Sequence, residues 1–356
     1  MKKKILFAIF TFIFVGISTA FAASDPITLT QADFTDAKNA PETTTSKGIW
    51  YHVDGPEKLY ILPEDAAFIL DGEINLDDGA GEIELRGNTV TLNSNVVLTG
   101  GITTESYTDN ALKGSGTVNG RVKHNGGDMT IDGSIIFNAP VISNNGDMII
   151  NGGTFNNCFI ADHNTDVTIN DGTFKSGDGT YSTNAVASHI YSSITVNGGT
   201  FIGTSVALSS TEAGDIIING GTFTGGAAGL FIMNGTAQIS GGTFKTTGTD
   251  GFDGNSSAIF LGESLTFDGI LADGYKYTTS TDFSTMDPGF KFLNVSETTV
   301  TSKTQQVPAE ETTNTETTTS IENPKTGDNI MYYVSVLGLS ILGFTGVGIY
   351  TKKRFN

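Results

Sequence analysis

Apolar and polar residues alternate along this chain in short runs, and the runs recur. Six copies of one phrase align on the residue before a tight turn: Met129-Thr-Ile-Asp132, Met148-Ile-Ile-Asn151, Val167-Thr-Ile-Asn170, Ile194-Thr-Val-Asn197, Ile216-Ile-Ile-Asn219 and Ala237-Gln-Ile-Ser240. A frayed seventh, Leu265-Thr-Phe-Asp268, follows. Apolar, polar, apolar is the period-2 signature of a strand with one buried face. Gly-Gly or Asp-Gly then turns the chain and Thr-Phe opens another strand, as in Asn-Gly-Gly-Thr-Phe at 151–155, 197–201 and 219–223.

Successive turn residues are 19, 19, 27, 22, 21 and 28 residues apart. A fixed phrase with elastic spacing suits a solenoid, whose coils must repeat their core strands while surface loops vary in length. The period predicts an all-β fold, a right-handed parallel β-helix with coils roughly 4.8 Å apart. β-Sandwich modules, the rival architecture, lack such a period. In the β-helix, Phe155, Phe174, Phe201, Phe223 and Phe244, with Phe137 below them, stack along the axis. The turn asparagines form a left-handed ladder hydrogen-bonded from coil to coil. Apolar runs at 59–62, 68–76, 83–85, 90–92 and 96–98 read as earlier coils, so the β-helix is expected over 59–295. An open coil end is an exposed sheet edge. Residues 23–58, including Trp50 and Tyr51, are therefore expected to cap one end, and the stretch from Ile270 to Val295 the other. This head resembles the pectate-lyase-like β-helix superfamily. Its Gly-Gly-Thr-Phe and Leu-Ala-Asp-Gly-Tyr phrases are similar to those of surface proteins of gut Firmicutes. The likeness is architectural and transfers little function.

The two termini carry targeting patterns. Lys2–Lys4, the apolar run Ile5–Val15 and the small-x-small site Ala20-Phe21-Ala22 read as a secretory signal over 1–22, with the mature chain starting at Ala23. Residues 296–322 are rich in Thr, Glu and Ser and read as a disordered stalk. Asn323-Pro324-Lys325-Thr326-Gly327 precedes an uncharged stretch, Ile330–Tyr350, and the terminal cations Lys352, Lys353 and Arg354. That stretch is long enough for a transmembrane helix, and the cations favour the cytoplasmic side. The arrangement over 323–356 resembles the cell-wall sorting signal of Gram-positive surface proteins, usually Leu-Pro-x-Thr-Gly, with Asn323 in place of leucine. The resemblance implies that a sortase cleaves after Thr326 and joins it to peptidoglycan, leaving the head outside the cell.

Charge and cysteine content fit that setting. The chain has 19 basic and 38 acidic residues. Removing Lys2–Lys4, Lys352, Lys353, Arg354 and Asp328 leaves 13 and 37, a net charge of −24. Nucleic acid is excluded as a partner, because phosphate binding needs a basic face. One cysteine, Cys158, permits no internal disulfide and is expected to fill the core.

Candidate chemistry is sparse. Asn164-Thr165-Asp166 matches one of the four polygalacturonase motifs, but the later Asp pair, Gly-His-Gly and Arg-x-Lys are missing; Arg121-Val-Lys123 falls on the wrong side. His52, His124, His163 and His189 lack metal-ligand spacing and are expected at surface or turn positions. No catalytic residue is assigned, and the chain is not read as an enzyme. Calcium is the one cofactor considered, at the acidic turns holding Asp77, Asp78 and Glu82, and Asp250 and Asp253. Tyr181 and Tyr191, in the longest insertion between the aligned copies before the cap, are the candidate ligand contacts. Three functions stay open: a wall-displayed adhesin contacting glycans or proteins of a host or neighbouring cell, a polysaccharide-binding module, and a polysaccharide lyase or hydrolase.

Overall fold

The computed structural model describes residues 25–303, except 65, 105–107, 213, 253, 280–282 and 287–288. The expected signal-cleavage residues Ala20, Ala22 and Ala23, the expected sorting signal, the expected 330–350 span and the expected stalk beyond 303 lie outside the described residues. Three sheets form a right-handed parallel solenoid of about eight turns. Among the described residues the sheets contain 10, 11 and 13 strands, here called the first, second and third. One coil shows the rule: Met148–Ile150 lies in the first sheet, Thr154–Phe155 in the second and Phe159–Asp162 in the third. Asp166–Ile169 then returns to the first, one step along the axis.

Parallel pairing is in register, so equivalent residues stand above one another. Phe137, Phe155, Phe174, Phe201, Phe223 and Phe244 are all 0% exposed. Their rings stack with centroids 4.4 to 5.0 Å apart and planes within 22°. Each buried ring contributes about 1.5–3 kcal/mol by leaving water. Ile, Val, Leu and Met from the other two sheets complete the same core.

The asparagine ladder is also present. Asn170 donates to Asn151 (2.8 Å), Asn197 to Asn170 (2.7 Å), Asn219 to Asn197 (2.8 Å), and the Ser240 hydroxyl to Asn219 (2.8 Å). The expected left-handed backbone falls elsewhere. None of these asparagines has positive φ; the second glycine of the turn does, with φ 104° at Gly199 and 105° at Gly221. Glycine takes that conformation without steric cost, which leaves the asparagine side chain free to bridge coils.

Both ends are closed. Ile27–Leu29 pairs with Ala67–Leu70 and so already belongs to the first sheet. Helix α1 (Gln31–Asn39) follows, its entry fixed by the Asp33 carboxylate accepting the Thr30 amide at 2.8 Å. It lays buried Phe34 and Ala37 over the open core. The hairpin Trp50–Asp54 and Glu57–Ile61 completes the lid, with Phe34 edge-on to Tyr60 at 5.5 Å.

At the other end, two expectations change. Leu265–Asp268 is not a seventh coil but a turn segment of the cap, where the Tyr277 hydroxyl donates to the Phe267 carbonyl at 2.8 Å. The folded head also runs past residue 295: Glu297–Ser302 is a strand, paired antiparallel with Thr243–Lys245 on one side and Tyr275–Tyr277 on the other. Thr298 and Val300 turn inward and are buried. β-Branched residues on one face suit a covering strand, and the polar composition of this stretch hid that alternation. Residues 25–303 thus carry both lids and a complete core, within a unit distinct from Gln305–Asn356.

Phe201→Ala is expected to destabilise the head by about 3–5 kcal/mol. Ile202→Ala, at the neighbouring position that is 44% exposed, should stay within about 0.5 kcal/mol. Urea midpoints of the two variants provide the comparison, and equal shifts would contradict the stacked core.

Candidate functional site

The acidic turn at Asp77 is a clamp between elements. Its side chain is 1% exposed and lies 2.6 Å from Lys38 Nζ and 3.8 Å from Lys58 Nζ. It accepts hydrogen bonds from the hydroxyls of Tyr60 (2.9 Å) and Tyr51 (3.2 Å). Burial alone raises the Asp77 pKa, but Lys38 and the Tyr60 hydroxyl outweigh it and hold the carboxyl below its usual range. One carboxylate thereby ties helix α1, the hairpin and the first coil together. A cavity of about 510 Å³ lies alongside, lined by Gln31, Lys38, Glu73 and Asp78 among others.

Of the other calcium candidates, Asp78 lines the same cavity and the rest lie apart. Asp78 accepts a long contact from Asn75 (3.5 Å), and Glu82 pairs with Lys123 at 2.8 Å. Asp250 is exposed on a separate loop, and Asp253 lies outside the described residues. Among the described residues, no group of three or more His, Cys, Asp or Glu side chains is arranged to hold a metal ion.

The outer face of the third sheet gathers charge at its N-terminal end. Register stacks Glu84, Thr103 and Lys123 in one column, with Glu82 and Gly101 beside them. Tyr181 reaches back to this face from the long insertion. Arg121 Nη2 donates to its hydroxyl at 2.9 Å, and the guanidinium carbon lies 5.0 Å from its ring centroid. Such a cation–π contact contributes about 0.5–1 kcal/mol at an exposed site, and Tyr181 keeps 50% of its surface open. Tyr191 is 65% exposed in a left-handed turn, φ 58°. It follows the strand Val186–Ser188, whereas Tyr181 precedes it. The two tyrosines therefore do not form one platform.

Two features escaped the sequence reading. His124, expected at the surface or in a turn, is 0% exposed. Its Nε2 lies 3.0 Å from the Gly127 carbonyl and must donate to it, so Nδ1 accepts from the Ser143 hydroxyl at 2.7 Å. Burial lowers its pKa and keeps the ring neutral. The alternation Val122-Lys123-His124 already placed it on the inward face. Cys158 is buried as expected, and burial pushes its thiol pKa up, away from nucleophilic use.

The second missed feature is a row of aspartates. Asn110, Met129, Met148 and Val167 stack in register, so the preceding Asp109, Asp128, Asp147 and Asp166 stand in adjacent coils. They edge a groove of about 330 Å³ that also includes Thr130, Ile149 and Thr168. Burial raises the Asp147 pKa, and the charges of Asp128 and Asp166 add to the shift. The row makes a stripe of negative potential that attracts cations without a chelating cage.

No protein-family model, curated protein or solved structure matches this chain. The functional reading therefore rests on these residues and on the architecture.

The raised pKa of Asp147 fixes a pH dependence. The folded chain protonates this group more readily than the unfolded chain does. Its ionisation therefore costs stability at neutral pH, and the cost vanishes as pH falls through the folded pKa. Asp147→Asn should raise the melting temperature at pH 7 in low salt, with a gain that shrinks on acidification and in high salt. A lower melting temperature at pH 7 would rule out repulsion along the row.

Proposed function

We propose that this is a secreted, wall-anchored surface protein whose solenoid head serves as a binding surface, adhering to glycans or proteins outside the cell. One observation carries the binding role. The head repeats its outward side chains in register over successive coils, which gives long, regular faces of the kind solenoids use for extended ligands. The two tyrosine candidates are solvent-open and separate, as suits contacts spread along a surface.

The anchoring half rests on the order of leader, stalk, Asn-Pro-Lys-Thr-Gly, apolar stretch and basic end. A sortase thiolate attacks the Thr326 carbonyl, the Thr326–Gly327 amide breaks, and Gly327 leaves as an amine. A peptidoglycan amine then displaces the thiol and forms a new amide. Pro324 keeps the recognition segment extended, and Gly327 leaves room for the enzyme at the scissile bond.

Thr326→Ala should move the protein from the fraction released only by digesting peptidoglycan into the membrane or the medium. Continued covalent co-purification with peptidoglycan would refute the anchoring. Soluble residues 25–303 should be retained by a glycan, a cell surface or an extracellular protein, assayed with calcium and with chelator. Silence in all of these assays, or turnover of a polysaccharide without retention, would refute the binding role.

A further inference from the structure

The outer face of the second sheet differs from the other two. One of its two outward columns is threonine in five consecutive coils: Thr154, Thr173, Thr200, Thr222 and Thr243 pair in register. The capping strand adds a sixth, Thr299, opposite Thr243. The asparagine ladder runs alongside at the turn. Strand propensity alone favours threonine on every sheet, yet equivalent columns elsewhere are mixed. The first sheet reads Thr130, Ile149, Thr168, Thr195, Ile217 and Gln238. The third, over the same coils, mixes lysine, isoleucine, alanine, serine and phenylalanine. Packing therefore tolerates variety at these positions, and this threonine column does not use it, whereas the second outward column of the same sheet, Lys175, Ile202, Thr224 and Lys245, does.

Charge narrows the partner. The chain has twice as many acidic as basic residues, but these five second-sheet strands contain two lysines and no acid. The lysines are committed: Lys175 donates to Asn156 (3.1 Å) and Lys245 pairs with Glu297 (3.3 Å). Asn156 is neutral, so Lys175 keeps its charge; with Lys245 offset by Glu297, the face is a nearly neutral strip on an acidic molecule and suits an uncharged ligand. It also lacks the aromatic and arginine anchors typical of protein interfaces. Each asparagine amide has two donors and two acceptor sites, and the ladder uses one of each, leaving one of each per rung for a ligand. Each threonine adds a hydroxyl and a methyl group, and Ile202, 44% exposed, adds apolar surface.

We propose that this face binds a neutral, extended β-linked glycan lying along the solenoid axis. It deepens the binding role proposed above and rests on it. Coils repeat at about 4.8 Å, close to the advance of one pyranose ring in an extended β-1,4-chain; neighbouring rings are turned by about half a turn, so alternate sugars present the same edge to every second rung. Sugar hydroxyls exchange hydrogen bonds with the asparagines and threonines, and ring C–H faces meet the threonine methyls. Each rung is weak, so affinity should climb with chain length as rungs are added.

The test uses residues 25–303 with insoluble β-1,4-glucan, its oligosaccharides in a length series, and α-1,4-glucan, whose chain is coiled. Retention on the β-glucan with length-dependent affinity, and weaker retention on the α-glucan, is expected. Thr200→Glu with Thr222→Glu should lower affinity at least about tenfold while circular dichroism stays unchanged. Thr195→Glu, on the first sheet, should bind as the parent does. Undiminished binding by the double variant, equal loss in Thr195→Glu, or a preference for the α-glucan would overturn this face or this ligand. If the head binds cells or proteins but neither glucan, this inference fails while the binding role survives; if it binds nothing, both fail.

Discussion

In-register parallel stacking is the constraint on which the rest of this molecule depends. Each residue stands one strand spacing, about 4.8 Å, above its counterpart in the coil below, so a favourable choice is repeated and an unfavourable one is repeated too. Phenylalanine gains from the repetition, since rings at that separation stack and exclude water together. Asparagine gains because its amide is both donor and acceptor and can bridge to its own kind. Aspartate loses, because like charges are brought together; burial raises the Asp147 pKa, and the charges of Asp128 and Asp166 add to it. The same rule accounts for the core, the turn ladder and the aspartate row of the surface.

Most of the fold was legible because the rule leaves a mark in sequence. A recurring Thr-Phe after a turn glycine reveals both a period and an inward ring. Elements that do not repeat were harder to place. Leu265–Asp268 carries the right apolar alternation yet forms turns, because its Phe267 packs in the cap with Tyr277. Glu297–Ser302 looked like stalk because threonine and glutamate dominate it, although Thr298 and Val300 alternate inward to seal a sheet edge.

Sites were less legible than scaffold. Asp77 stood out as part of an acidic turn, but its partners Lys38, Lys58, Tyr51 and Tyr60 come from the lid, and nothing local in the sequence announces that meeting. The Tyr181–Arg121 contact likewise joins residues from distant coils. The aspartate row could have been read, since three of its four acids, Asp128, Asp147 and Asp166, immediately precede an aligned phrase. Attention to the apolar positions passed over it.

The last strand of the head bears on how the molecule carries load. Glu297–Ser302 is hydrogen-bonded on both sides, between Thr243–Lys245 and Tyr275–Tyr277, and Lys303 leaves directly from it. Tension applied at Lys303 would meet the Tyr275–Tyr277 pairing at Val300–Ser302 first and the Thr243–Lys245 pairing at Glu297–Thr299 after it, so the two ladders open in sequence. The strand that closes the sheet would then serve as a mechanical fuse, sacrificed before the stacked core begins to unwind.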